Sequence, residues 1–141
     1  MTVINDREYR VIVPKYDNSG RKIRAEEMEG LAKKMSEHFG GVTIIPSVLG
    51  CWVSERDKKL ICEENVVFSS LRDSESVPNW EKQKREDETF IKNLAREVGT
   101  RFGQESVLIS EDKVEVDFIK GRYREELPRQ RVGVDWFRKL I

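Results

Sequence analysis

The sequence has few residues that could hold a metal ion. It contains one histidine, His38, and two cysteines, Cys51 and Cys62, among 141 residues. A structural zinc site needs about four Cys or His ligands, so this class of site is excluded. We therefore expect no metal and no cofactor.

Long apolar runs are missing as well. No window approaches the roughly 18 consecutive apolar residues of a membrane span. Residues 1–6 also lack the apolar run and small-residue cleavage site of a signal peptide. We therefore expect a soluble cytoplasmic protein that does not contact a membrane.

The sequence also lacks an excess of positive or negative charge. The 26 Lys and Arg residues equal the 26 Asp and Glu residues, so the net charge is zero. Nothing then draws the whole molecule toward nucleic acid. With 38% hydrophobic residues, a chain of this length is expected to form one domain around one core.

The two cysteines lie in strand-like segments on either side of a polar turn at residues 54–59. In a symmetric hairpin, Cys51 and Cys62 would face each other across the two strands. Because reducing compartments rarely keep structural disulfides, we expect two free thiols rather than a cross-strand disulfide.

Hydrophobic periodicity predicts a series of strands and helices. Tyr9, Val11 and Val13 alternate on one face of the first strand, and Gly40 and Gly103 are placed to end two helices. The predicted elements are a strand at 8–14, a helix from about 24 to 39, a hairpin of 42–53 and 60–71, a helix at 80–102, and strand pieces at 106–110 and 114–119 around a turn at 111–113.

This order is the split βαβ pattern of ferredoxin-like α+β folds. Right-handed crossovers place both helices on one face of a four-stranded antiparallel sheet. The other face carries apolar residues such as Ile12, Ile61 and Val67 and needs a cover. We therefore expect a homodimer, which would allow a dimeric α+β barrel.

Three local features carry further expectations. Pro46 cannot donate to a strand ladder, so we expect a bulge or an edge position there. Gly50 beside Trp52 indicates a close approach. The first half of the second helix, from Trp80 onward, is mostly charged and is expected to protrude.

The predicted domain covers residues 1–119, and residues 120–141 form a basic, aromatic extension. The extension has seven basic residues against three acids. It ends in an apolar cluster that includes Trp136 and Phe137 and would be costly to leave in water. We expect it to dock on its own domain or on a partner subunit.

Three segments resemble motifs of an uncharacterised bacterial ferredoxin-like family, a domain of unknown function. They are F-G-G-V-T at residues 39–43, G-C-W at 50–52 and R-F-G-Q-E-S-V-L at 101–108. The resemblance spans residues 9–119 and implies the same fold. It implies no activity, because that family has none assigned. The linker at 73–80 is longer here, and the basic tail has no counterpart.

Acidic residues and the single histidine are the candidate catalytic groups. Glu63 and Glu64 alternate across a strand, so one of them points inward in either register. An inward carboxylate near Trp52 could bind a polar ligand or act as a general base. The structural alternative is a carboxylate bonded to Arg10 or to turn amides. His38 could be an acid, a base or an axial haem ligand, or it could simply complement the helix dipole.

Trp52, Gln104 and Glu105 are the candidate ligand-binding residues. Gln104 and Glu105 follow Gly103 at a junction of helix and strand, where loops often line the open end of a sheet. They could equally cap the helix and begin the strand. Cys51 as a nucleophile would need His38 as its base, and no motif supports that pair.

Taken together, these features favour a homo-oligomeric module that binds a small molecule or a protein. One alternative is a cofactor-independent enzyme of the dimeric α+β barrel type, using Glu63 or Glu64 with His38. Another is a nucleic-acid accessory protein that uses the basic tail, with Tyr123 for stacking. Nucleic acid is not the expected partner, because acids interrupt every basic run.

Overall fold

The computed structural model describes residues 5–122 and 133–141. Within these residues four strands form one antiparallel sheet in the order β2-β3-β1-β4, and two long helices cover one face. This is the ferredoxin-like arrangement, so the predicted fold class is confirmed. The elements are β1 (Arg7–Pro14), α1 (Ala25–Phe39), β2 (Thr43–Val53), β3 (Leu60–Arg72), a 3-10 turn (Ser74–Ser76), α2 (Trp80–Phe102), β4 (Ile109–Lys113) and α3 (Val134–Leu140).

The core lies between the sheet and the two long helices. Strand alternation sends Tyr9, Val11 and Val13 of β1 into it, as predicted, and all three are buried. Helical spacing supplies the facing layer. Its buried members are Met28, Leu31, Met35 and Phe39 of α1 and Ile91, Leu94, Val98 and Phe102 of α2.

Both long helices end at a glycine in the left-handed region. Gly40 has φ 92° and Gly103 has φ 64°, values that a residue without a Cβ adopts without strain. At the start of α2, the Asn79 side chain accepts a hydrogen bond from the backbone N–H of Lys82. The predicted bounds of α2 and both predicted glycine caps are therefore confirmed.

The β2–β3 hairpin carries the predicted irregularity. The register shifts between Ile45 and Val48, which flank Pro46, and β2 is an edge strand. Beyond the shift, Cys51 lies directly opposite Cys62, with their Cα atoms 4.0 Å apart. The two sulfur atoms are bonded, so the expectation of free thiols was wrong. That expectation was based on the reducing cytoplasm in which the protein was expected to reside. The strand register places the two sulfur atoms side by side whatever the compartment.

The last strand differs from the prediction. β4 is one strand, Ile109–Lys113, that pairs with β1 from Val11↔Ile109 to Arg7↔Lys113. The residues predicted to form a turn lie inside it, and the predicted strand at 114–119 is absent from the described part of the chain. An edge strand tolerates charged side chains, because one of its sides faces solvent. The polar residues 111–113 were therefore wrongly predicted to form a turn.

The first half of α2 also differs, since it does not simply protrude. Asp87 is fully buried and is bonded to Arg72 of β3. The guanidinium of Arg7 stacks over the Trp80 ring at 5.5 Å. One of the many charged residues in this half, Asp87, therefore faces the core instead of solvent.

The C-terminal helix α3 lies against α1. Phe137 and Ile141 are buried in the core cluster, and Arg138 donates a hydrogen bond to the Glu26 carboxylate. Tyr123 and the basic residues Arg124, Arg129 and Arg131 fall outside the described residues. The division into residues 1–119 and 120–141 stays a prediction.

In the parts of the chain that are described, no helix combines the length and apolar character needed to cross a bilayer.

Candidate functional site

The sheet face that lies away from α1 and α2, here called the open face, carries a cluster of apolar side chains among polar ones. Ile12 of β1 is paired with Val67 of β3, and both point to this face. Further along β3, Ile61 and Leu71 are 39% and 42% exposed. Residues 60–63 of β3 pair only with β2, so the hairpin projects beyond the rest of the sheet.

A cleft of about 510 Å³, here called the open-face cleft, lies where this hairpin meets β1 and the chain that precedes β4. The backbone N–H of Ile12 donates to the carbonyl of Leu108 at 3.0 Å, which fixes that chain beside β1. The lining is mostly apolar, with a few polar groups. Its members are Ile12, Pro14, Val48, Leu49, Gly50, Cys51, Trp52, Glu63, Asn65, Val67, Gln104, Ser106, Val107 and Leu108.

Gly50 makes room for the polar side of the cleft. It lies directly opposite Glu63, and a Cβ added to it would be 3.1 Å from Nδ2 of Asn65. The close approach predicted at Gly50 is therefore confirmed. The Asn65 amide also donates to the Glu63 carbonyl at 3.1 Å, which holds it along the strand.

The cleft brings together three of the candidate residues, namely Trp52, Glu63 and Gln104. Glu64 points to the other face of β3, where its carboxylate lies 3.2 Å from Nζ of Lys15. Glu105 lines a separate shallow groove beside Arg96 of α2.

The ion pairs in the structure test the structural alternative for Glu63 and Glu64, which was a carboxylate bonded to Arg10 or to turn amides. The proposed bond to Arg10 is not present, because Arg10 pairs with Glu8 at 3.2 Å. Cys51 has no free thiol to act as a nucleophile, since its sulfur is bonded to Cys62. Of Glu63 and Glu64, Glu63 is the one that lines the open-face cleft.

His38 belongs to a buried polar cluster on the helix side of the sheet. Its Nε2 lies 2.8 Å from Oδ1 of Asp87, and its ring stacks on Phe90 at 4.0 Å. Asp87 also accepts hydrogen bonds from Arg72 and from Gln83. His38 and Glu63 therefore lie on opposite faces of the sheet, and the structure does not bring them together as an acid/base pair.

A second cavity of about 570 Å³ lies near this cluster and includes Arg72 in its wall. Two of its hydroxyl groups are bonded within the protein. Ser70 donates to the Gly41 carbonyl at 2.7 Å, and Ser69 donates to the Glu8 carboxylate at 2.9 Å. Because the Arg72 guanidinium is bonded to Asp87, the open-face cleft is the stronger candidate site.

Two residues important to these sites were missed by sequence reasoning. Asn65 follows Glu63 by two positions, so strand alternation would have placed it on the same face. Asp87 stands at the helical spacing of Ile91, Leu94 and Val98, which is the signal that it faces the core.

Burial, and after it the neighbouring Glu111 carboxylate, raise the pKa of Tyr9. Tyr9 stacks on Phe39 with a centroid distance of 5.3 Å. It therefore acts as part of the core and not as an acid or base.

The chain matches no protein-family model and no curated protein. Solved structures with a similar fold include a phage SAM lyase in complex with S-methyl-5'-thioadenosine. Its TM-score is 0.56 at 16% identity, over 80% of this chain and 84% of that chain. A phage SAM lyase in the apo state has a TM-score of 0.50 at 16% identity, over 89% and 98% of the two chains.

The divalent ion tolerance protein CutA1 from Ehrlichia chaffeensis gives a TM-score of 0.48 at 8% identity, over 83% and 88% of the chains. The two lyase structures show that the fold is shared. At these identities they show nothing about the reaction.

Proposed function

We propose that the chain forms a homo-oligomer that binds a small organic molecule in the open-face cleft. The observation that carries this proposal is the cleft itself. Its volume of about 510 Å³ falls within the range of about 300–1,000 Å³ that is typical of small-molecule sites. Its apolar wall with a few convergent polar groups is also typical of such sites.

The apolar surface around the cleft supports the oligomeric part of the proposal. Large contiguous apolar patches are rare on monomers, and a second copy of the chain would cover this one. Such a partner would also close the cleft and remove more of a bound molecule from water. The exposed members on this face around the cleft are Ile45, Trp52 and Ile61, and Leu108 lies beside them.

Native mass spectrometry of the freshly purified protein tests both parts of the proposal. We expect a homo-oligomer that retains a small molecule. Ile61→Glu puts a charge on the open face and is expected to give monomers. Leu140→Glu is the matched control, because Leu140 is exposed on α3, away from that face. A wild-type monomer without bound mass would contradict the proposal.

A second candidate function is an enzyme that uses Glu63 as a general base. The position of Glu63 favours it, because this carboxylate faces the cleft and has no ion-pair partner among the described residues. The similar fold of a phage SAM lyase suggests the first substrate to try.

The enzyme candidate is tested by incubating the protein with SAM and measuring S-methyl-5'-thioadenosine by mass spectrometry. We expect Glu63→Gln to abolish product formation. Glu64→Gln should leave it unchanged, since Glu64 bonds to Lys15 on the opposite face. No product from wild-type protein, or equal loss in both variants, would contradict the enzyme candidate while leaving binding intact.

A further inference from the structure

The charges around the open-face cleft are unbalanced. Among the described residues that line it, Glu63 is the sole side chain that ionises, since Cys51 is held in the disulfide. Two cations at or next to β1 are already bonded. Lys15 lies 3.2 Å from Glu64, and Arg10 lies 3.2 Å from Glu8. A bound molecule would therefore meet one negative charge without a compensating positive one.

An aromatic ring lies close to this carboxylate. Gly50 is paired with Glu63 and Trp52 with Ile61, so Trp52 and Glu63 are diagonal neighbours on one face of the hairpin. Diagonal cross-strand side chains lie within reach of an aromatic group. Because Gly50 has no side chain, the strand opposite Glu63 presents only backbone there, and the Asn65 amide lies beside it.

We infer that the ligand of the open-face cleft is a cation with an apolar body, bound between the Glu63 carboxylate and the Trp52 indole. The inference rests on the proposed function and names its ligand class. A cation in this position gains attraction from the carboxylate and from the face of the indole ring. The apolar wall at Val48 and Leu108 would receive the rest of the molecule.

The same geometry disfavours anions. The described residues that line the cleft include no Lys, Arg or His, so a carboxylate or phosphate ligand would meet Glu63 without a compensating charge from them. The amides of Asn65 and Gln104 can bond neutral polar groups of the ligand, and they do not select its charge.

Three probes of one shape and different charge test the inference. They are naphthylmethylamine, naphthylmethanol and naphthoate, titrated into the full chain by isothermal calorimetry at about neutral pH. We expect the protonated amine to bind about tenfold tighter than the alcohol. Naphthoate should bind most weakly. The preference should fall as ionic strength rises from about 0.01 M to about 0.15 M.

Glu63→Gln keeps the side-chain shape and removes the charge. It is expected to lower the amine affinity about tenfold while leaving the alcohol affinity unchanged. Glu64→Gln is the matched control and should keep the wild-type preference. Thermal unfolding of both variants verifies that they fold.

The two levels of the proposal fail in different ways. Equal binding of amine and alcohol, tighter binding of naphthoate, or a preference that survives Glu63→Gln would overturn the cation inference and leave the binding function standing. Absence of binding by all three probes would overturn the inference, and a wild-type monomer without bound mass in native mass spectrometry would overturn the proposed function as well.

Discussion

Arg72 and Asp87 form a bidentate ion pair in the interior of the protein. Nε of Arg72 lies 2.9 Å from Oδ2 of Asp87, and Nη2 lies 3.0 Å from Oδ1. Asp87 is completely buried and has two further polar neighbours, His38 of α1 and Gln83 of α2. One carboxylate thus ties both helices to β3.

The first prediction concerns this carboxylate. Asp87→Ala leaves the Arg72 guanidinium without its partner, and breaking a buried pair typically costs about 3–5 kcal/mol. We expect a loss of this order in the free energy of unfolding, measured with urea. Glu86→Ala is the control, because Glu86 is an exposed neighbour whose carboxylate lies 3.9 Å from Lys82 Nζ. Similar losses in both variants would contradict the assigned role of Asp87.

The second prediction is a pH dependence that arises at Asp6. Burial raises the pKa of Asp6, but hydrogen bonds from the N–H of Val116 and from Ser74 lower it by more, so the net pKa is below the ordinary value. The stabilisation is therefore present above the unfolded-state pKa of about 3.9 and is lost as pH falls through the folded-state pKa.

Asp6→Asn removes the charge and the acceptor for Val116. We expect the difference in unfolding free energy between wild type and variant to be largest near neutral pH and to shrink below about pH 4. Urea unfolding across this pH range measures it. A difference that stays constant down to about pH 2 would show that the Asp6 charge contributes nothing.

The third prediction concerns the Cys51–Cys62 disulfide. Unfolded, unreduced protein should show no reactive thiol, and reduction should release two. Closing a loop with a sequence separation of 11 is expected to stabilise the protein by about 2–3 kcal/mol. Reductant should therefore lower the midpoint of thermal unfolding of wild type and leave the Cys51→Ser, Cys62→Ser double variant unchanged. Two free thiols before reduction would contradict the bond.

The fourth prediction concerns the docking of α3. Phe137 is buried against α1, whereas Leu140 of the same helix is 48% exposed. Phe137→Ala is expected to cost about 3 kcal/mol or more in unfolding free energy, because it leaves a cavity. Leu140→Ala should cost less than about 1 kcal/mol. Equal effects, measured by denaturant unfolding, would show that α3 does not pack as described.

Elements with a strong local signal could be predicted from the sequence. The alternation of Tyr9 and Val11 fixed the buried face of β1, and Gly40 marked the end of α1. Pro46 marked the irregularity in β2. In each case the residue type affects the backbone only within a few residues, so the local sequence is enough to predict the structure there.

Features that depend on tertiary pairing could not be predicted in this way. Charged residues of β4 resemble a turn until β1 is placed beside them. The burial of Asp87 requires Arg72, which lies 15 residues earlier on another element. The open-face cleft depends on the chain at Leu108 being held against Ile12, a contact that no local pattern predicts.

Chemical-shift mapping of the backbone amides during titration tests most directly whether the open-face cleft is the binding site. The probes are naphthylmethylamine and the neutral S-methyl-5'-thioadenosine, each added separately. Binding is predicted to perturb amides in residues 48–52, 63–67 and 104–108 with either probe that binds. No perturbation at saturation, or shifts confined to residues 39–43 and 69–76 around the second cavity, would contradict the account.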